Sequence, residues 1–463
     1  MKIPVTPPNF LALVQSELST PDGPQIWVKL AEARTGALVR GKYRHWDILR
    51  HLQPPSGLTV EQWWLGLKMA RTAMYQAIPL LDKRGMRFQY ALPDVAQRML
   101  HEIDRDASGT IQISEQVTNP QTRDTYLYSS LIEEAITSSQ LEGAATTREV
   151  AKNMIKRGRQ PRDRSERMIY NNYQALLFIR TVIDQPLTPK ILFEIHRILV
   201  DGTLDDPDAA GRTRNANEPI CVLDELDGTT LHEPPSADQL AWRMEQMCAF
   251  ANQQSAEPFV HPVIRAVLLH FWLAYDHPFV DGNGRTARAL FYWSMVRQSY
   301  WLAEFLSISR IIKKARGAYG RSFLYTETDD NDATYFILNQ LRIITQAIQE
   351  LHLYLAKKAA DLKKTAGLLQ QSEAIKNQLN YRQLALMNHA LKRPYAEYTF
   401  ESHRRSHNVS YGTARTDLLD LVDQQLLVEG KIGRTFRFTV PPNLYERLSK
   451  LADARLVTSQ PSA

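Results

Sequence analysis

The stretch His277-Pro-Phe-Val-Asp-Gly-Asn-Gly-Arg-Thr-Ala-Arg288 decides the reading of this chain, because it interrupts one apolar helical pattern and opens a second. Gly282 and Gly284 can take backbone angles closed to other residues, which lets an anion approach main-chain N–H groups. The helix that follows adds partial positive charge at its N-terminus, so the loop reads as a phosphate cradle. Arg285 and Arg288 lie three apart in that first turn and are expected to point to one face, offering two guanidinium forks to β- and γ-phosphate oxygens. Asp281 supplies a hard oxygen ligand suited to Mg²⁺. His277, with an unperturbed pKa near ~6.5, suits a general base at neutral pH. Taken singly, each residue has an ordinary structural reading: a GNGR turn is a common loop, and one histidine at a helix end is usually structural.

Outward from the loop, apolar residues recur at helical spacing near 125–142, 166–182, 189–200, 236–252, 263–275 and 284–296, which predicts a mostly α domain over 116–345. The 189–200 segment opens with Thr188-Pro189, an N-cap followed by proline at the first helical position. Between helices, Pro219 to His232 places apolar residues on both sides of Asp227-Gly228, which predicts a small exposed β-hairpin. Residues 1–115 read as a separate N-terminal helical domain bearing Trp27, Trp46, Trp63 and Trp64, with helical patterning from Val60 to Leu81. It ends at a break through Asp104, Asp106, Ser108 and Gly109, and it carries no constellation that can be tied to chemistry.

Residues 346–381, rich in Ala, Leu, Lys and Gln, read as a helical linker. Over 382–446, helices followed by the run Leu426 to Phe438 suggest a winged helix-turn-helix, with 447–463 as a tail. Arg404, Arg405, Arg415, Lys431, Arg434 and Arg437 would there meet DNA phosphates or base edges, although modules of this kind also dock proteins.

The bulk numbers agree with several domains. The chain has 463 residues, 44% of them apolar, and 56 Lys and Arg against 50 acidic residues for a net charge of +6. That excess does not by itself establish nucleic-acid binding. Cys221 and Cys248 form neither a disulfide framework nor a zinc pattern, which fits a reducing cytoplasm. The most apolar stretch, Val263 to Val280, is broken by Arg265, His270, Asp276 and His277, so no membrane span is expected.

Residues 277–288 match the signature of the Fic family (filamentation induced by cAMP), His-Pro-Phe-x-(Asp/Glu)-Gly-Asn-Gly-Arg-x-x-Arg, at every fixed position. The resemblance extends over about residues 125–345 and includes His261-Pro262 and Gly211-Arg-Thr-Arg214. Ala287 stands where many members have a further glycine. The resemblance implies a protein adenylyltransferase that moves AMP from Mg-ATP, or Mn-ATP, to a Ser, Thr or Tyr hydroxyl of a target protein or of itself. In it His277 is the general base, Phe279 the core anchor of the loop, and Asp281 the metal ligand. Gly282, Asn283, Gly284, Arg285, Thr286 and Arg288 surround the phosphates, and a flap over Pro219–His232 places Thr230, Leu231, His232 and Glu233 beside the nucleotide. Ser138-Ser-Gln-Leu-Glu-Gly143 resembles the family's inhibitory helix, here at about 125–143, with Glu142 pairing Arg288 and autoinhibiting the enzyme. Two rival readings stay open: hydrolytic removal of AMP, and a DNA-binding transcriptional regulator that senses nucleotide. The target protein and any homo-oligomer are left open.

Overall fold

The Pro262–Asp276 helix starts where its sequence places it: His261 Nδ1 accepts from Val263 N at 3.3 Å, and proline fills the first position. Nearly all of its residues are buried, and the equally buried Asn283–Arg297 helix packs along it. The Arg164–Thr181 and Pro189–Val200 helices flank the pair. Phe271, Trp272, Phe279, Phe291 and Phe336 are almost completely enclosed there. At about 1.5–3 kcal/mol per large apolar side chain, this packing holds the loop between the two central helices as a rigid corner.

The computed structural model describes residues 1–463 except 21–22, 109–119, 225–226, 253–258, 372, 394–395, 433–434 and 454–463. Gly109, Arg434 and the end of the expected tail therefore lie outside the described residues. The chain divides into two compact units. Met1–Gln112 with Leu127–Gln349 form the first, and Ile113–Tyr126 with Glu350–Ala463 the second.

This division corrects the expectation of a separate N-terminal domain. The Asp94–Ala107 helix takes in Asp104 and Asp106 of the supposed break and ends at Ala107, and Asp104 accepts from Tyr300 OH at 2.6 Å and lies 3.0 Å from His261 Nε2. Asp104, which looked like punctuation, instead contacts residues beside the two central helices. A second correction concerns Val60 to Leu81. Thr59 and Gln62 form a capping box that starts a helix at Val60, but it stops at Thr72. Gln76–Leu81 then pairs antiparallel with Arg87–Tyr90. Pro79 cannot continue a helix, and Ile78 and Leu80 are buried while Ala77 and Pro79 are exposed, the period of a strand.

The predicted β-hairpin is present as Val222–Leu223 against Thr230–His232. Gly228, at φ 70°, donates to Asp224 O at 2.9 Å to close the turn. The expected linker over 346–381 falls on one helix from Thr334 to Gln371 and a second from Glu373 to Gln378, and Ile375 and Leu379 are packed into the core of the second unit rather than linking to it.

The second unit has its own core, including Leu386, Met387, Leu418, Leu421, Leu426 and Phe438. Its elements run Tyr381–Lys392 helix, Glu397–Tyr398 strand, Phe400–His407 and Tyr411–Asp423 helices, strands Val428–Ile432 and Thr435–Thr439, and a Leu444–Asp453 helix that corrects the expected tail from 447, since Leu448 is buried in the same core. The Thr435–Thr439 strand lies between the other two, and Asn408 turns the two middle helices through a left-handed conformation. No described helix is long and apolar enough to cross a membrane.

Candidate functional site

His277 is the residue that ends the Pro262–Asp276 helix, held in a left-handed conformation at φ 45°. A non-glycine residue in that region is strained unless its surroundings fix it. Arg214 does so: its backbone N donates to Pro278 O at 2.8 Å and its Nε to His277 O at 2.9 Å. Asp276 anchors the other side, accepting from Arg243 Nε at 2.8 Å and from Trp272 Nε1 at 2.9 Å. His277 Nδ1–H donates to Ala274 O at 3.1 Å, which leaves Nε2 as the basic nitrogen. Burial pulls its pKa down from 6.5 to about 4, against the bond to Ala274, so the ring is neutral at pH 7.

Beyond it, Phe279 is fully enclosed and stacks on His196 with ring centroids 3.7 Å apart. Asn283 ties the loop across itself, accepting from Phe279 N at 2.9 Å and donating to Phe279 O at 2.8 Å. His196 Nδ1 accepts from Gly211 N at 3.1 Å, so Nε2–H donates to Asp281 O at 2.9 Å. Gly282, at φ 83°, precedes the helix, and a Cβ there would lie 2.8 Å from Val200 Cγ1. Thr286 spends its hydroxyl on Gly282 O at 2.9 Å.

The two arginines diverge, contrary to the single face expected for them. Arg285 is fully buried, with Nη1 on Leu199 O at 3.0 Å and Nη2 3.3 Å from Asp281 Oδ2. Arg288 turns to the Pro120–Leu141 helix, its Nε on Ser138 Oγ at 2.9 Å and its Nη2 on Ser138 O at 3.0 Å and Glu142 Oε1 at 2.8 Å. Spacing sets where a side chain starts, but the nearest acceptors set where its tip goes. Burial lowers the Arg285 pKa, and at Arg288 the charges of Glu142, Tyr319 and Glu134 outweigh burial and raise it.

Glu142 lies just past that helix, where Gly143 takes φ 93°. Its carboxylate presses so closely on Gly284 that any Cβ there would collide with Oε1. An anion therefore already sits in the cradle, at the start of a helix that favours it. The helix carrying it is pinned from inside by Glu134, whose carboxyl, pushed up by burial, accepts from Ser307 Oγ at 2.9 Å and Ser309 N at 3.2 Å. Asp281 is 42% exposed, with Oδ1 on Gly282 N at 2.5 Å. One half-exposed carboxylate fits a Mg²⁺ that takes its other ligands from phosphates and water. No cluster of three metal-binding side chains exists among the described residues.

On the flap, Thr230 is exposed and Leu231 half-buried. His232 points inward, away from the place expected beside a nucleotide. Its Nε2 lies 2.7 Å from Tyr275 O and its Nδ1 2.7 Å from Glu327 Oε2. Carbonyl and carboxylate both accept, so both nitrogens carry protons and the ring is an imidazolium. Burial opposes that charge, but Glu327 outweighs it and the pKa is raised. Glu233 is exposed and holds Lys83 Nζ at 2.6 Å.

Residues 186–295 match the model of the Fic/DOC family. The chain carries a Fic domain. Over 229 residues it is 28% identical to the protein adenylyltransferase Fic of Nematostella vectensis, spanning 48% of this chain and 50% of that relative. Over 128 residues it is 31% identical to the protein adenylyltransferase Fic of Drosophila grimshawi, 27% of this chain and 24% of that one. The chain thus spans half the length of the first relative and about a quarter of the second. A Fic family protein from Desulfovibrio desulfuricans covers 76% of this chain and 98% of its own at 18% identity, with a TM-score of 0.49. Around the Fic loop, sequence reasoning missed Arg243, Asp276, His196 and Glu134. Asp276 carried a readable signal, a carboxylate closing a largely apolar helix.

Proposed function

We propose that this protein transfers AMP from Mg-ATP to a hydroxyl of a protein target, and that Glu142 restrains the reaction. One observation carries the reading: His277, its Nδ1 spent on Ala274 O and its Nε2 left over as the base, opens the same loop whose glycine cradle at Gly284 is held, next to Arg288, by the Glu142 carboxylate. In the transfer, the target oxygen attacks the α-phosphorus and a P–O bond forms. The bond from that phosphorus to the bridging oxygen breaks, pyrophosphate leaves, and the hydroxyl proton passes to His277 Nε2. A neutral ring is required for this, and burial keeps it neutral. Asp281 is the residue that would hold the metal, which neutralises developing phosphate charge when bound. Glu142 and a distal phosphate compete for Arg288.

The test compares initial rates of labelled-AMP incorporation for the wild type, Glu142→Gly and Glu142→Gly with His277→Ala. In the Glu142–Arg288 pair the arginine is buried and the carboxylate partly exposed, so with solvent screening the pair is worth about 1 kcal/mol, and Glu142→Gly is expected to raise transfer roughly five- to tenfold. Adding His277→Ala should then lower it by about 10² to 10⁴ with ATP binding retained. Equal rates in the wild type and Glu142→Gly would remove the restraint, and full activity without His277 would remove the mechanism.

For the second unit the proposal is a winged helix that docks protein rather than DNA. The element order supports the fold. The docking choice rests on partial local neutralisation: Arg404 and Arg405 share the one carboxylate of Glu401, at 2.7 and 2.8 Å, and Arg437 pairs with Glu397.

A further inference from the structure

His232 has no task in the transfer described above, and neither do residues 1–112. Their geometry joins them. His232 closes the outer strand of the flap and reaches Tyr275 O, two positions before His277. Its other bond goes to Glu327, in the last turn of the Arg316–Thr328 helix. The residues next to Glu327 are held by the N-terminal segment: Thr328 Oγ1 lies 3.2 Å from His45 Nε2, and Asp329 Oδ1 accepts from Lys68 Nζ at 2.7 Å. Asp329, Lys68 and Arg71 are buried together. On the solvent side, Lys83, between the two N-terminal strands, holds Glu233 and donates from its backbone N to Tyr275 OH at 3.3 Å. Arg243 bonds Leu81 O as well as Asp276. The base of the flap is thus tied to the catalytic helix and to an N-terminal support at once.

We propose that His232 is a positioning residue: bridging Tyr275 O to Glu327, it sets the height of the flap above His277, with the N-terminal segment as the fixed support. An extended target segment lying on the flap would then present its hydroxyl at a set distance from His277 Nε2. The proposal deepens the AMP-transfer reading and rests on it.

A pH signature follows. The charged and titratable groups facing His232 are Glu327, Tyr275, Lys83, Glu233, Asp276 and His277. Because the His232 pKa is raised above 6.5, both hydrogen bonds are intact at low pH and one of them is lost as pH rises through the raised value. His277, lowered to about 4, stays neutral over the same range and contributes no alkaline fall.

The experiment measures initial self-transfer of labelled AMP by Glu142→Gly between pH 6 and 9 at saturating Mg-ATP, alone and combined with His232→Gln or Glu327→Gln. It also measures ATP affinity and amide hydrogen exchange in residues 222–232. The parent rate should fall toward alkaline pH. Both variants should be about three- to tenfold slower at pH 6.5, flat with pH, unchanged in ATP affinity, and faster in flap exchange. An alkaline fall that persists in both variants would overturn the proposal. So would loss of ATP affinity in His232→Gln, which would put His232 on the nucleotide. If the Glu142→Gly parent transfers nothing, the AMP-transfer reading fails first; flap exchange then still decides whether His232 fixes the flap, since unchanged exchange overturns that too.

Discussion

At the scale of single residues, the Fic loop was legible in identity and only partly in direction. His277, Phe279, Asp281, Gly282 and Asn283 stand where a helix–loop–helix corner needs them, because glycine conformations and a self-closing Asn are local matters. Arg285 was not legible. Its partner Leu199 O belongs to another helix 86 residues away, and periodicity says nothing about which carbonyl a long side chain will find. Arg285 therefore acts as a clamp between Asp281 and the end of the Pro189–Val200 helix, while Arg288 faces the anion. Arg285→Ala should cost about 2–3 kcal/mol of stability, since a buried charged donor is removed and its acceptors are left unmet. Urea unfolding checks the cost and calorimetry the ATP affinity, which should fall less than in Arg288→Ala. Unchanged stability with a large loss of ATP affinity would restore Arg285 to the phosphates.

At the scale of elements, helix starts were the most readable feature. The Pro189–Val200 helix begins at the proline that follows Thr188, whose Oγ1 accepts from Ile191 N at 3.3 Å. The Gln76–Leu81 strand was missed because its apolar residues also fit a helical stripe continuing from Val60, and only Pro79 argued otherwise. Glu397–Tyr398 was missed because two residues carry no period. In the second unit, the partly neutralised arginines lead to a definite expectation. The full chain should show weak retention on duplex DNA, with a salt slope smaller than several free phosphate contacts would give. Tight binding that falls steeply with salt in a filter or fluorescence titration would overturn the docking choice.

For the whole molecule, composition correctly announced several cores but placed the first boundary wrongly, because a polar cluster on a helix face looks like a linker when its partners are distant in sequence. Asp104 meets Tyr300 and His261 across more than 150 residues. Burial has a collective result as well. His45, His196 and His277 are pulled down from 6.5 to about 4, and His270 to about 3, all by burial. The unfolded chain takes up protons at these sites first, so the stability they confer is complete above pH 6.5 and is lost as pH falls toward about 4. The unfolding free energy of the first unit, read from urea titrations, should drop from pH 7 to 4.5 by up to about 1.4 kcal/mol per group per pH unit. A flat profile would contradict the burial of these rings as neutral groups.

Glu142 stands between two helices of opposite welcome. It lies just past the C-terminus of its own, where negative charge is disfavoured, and beside the start of the Asn283–Arg297 helix, where it is favoured. Under the proposed competition, a nucleotide that evicts the carboxylate sends it back to an end that repels it, so that ATP binding and order in the last turn of the Pro120–Leu141 helix would oppose each other. Linkage would make that opposition equal in both directions. Whatever grips the turn around Ser138 from outside would then loosen the nucleotide, and whatever frays it would tighten it, a handle that never touches the cradle.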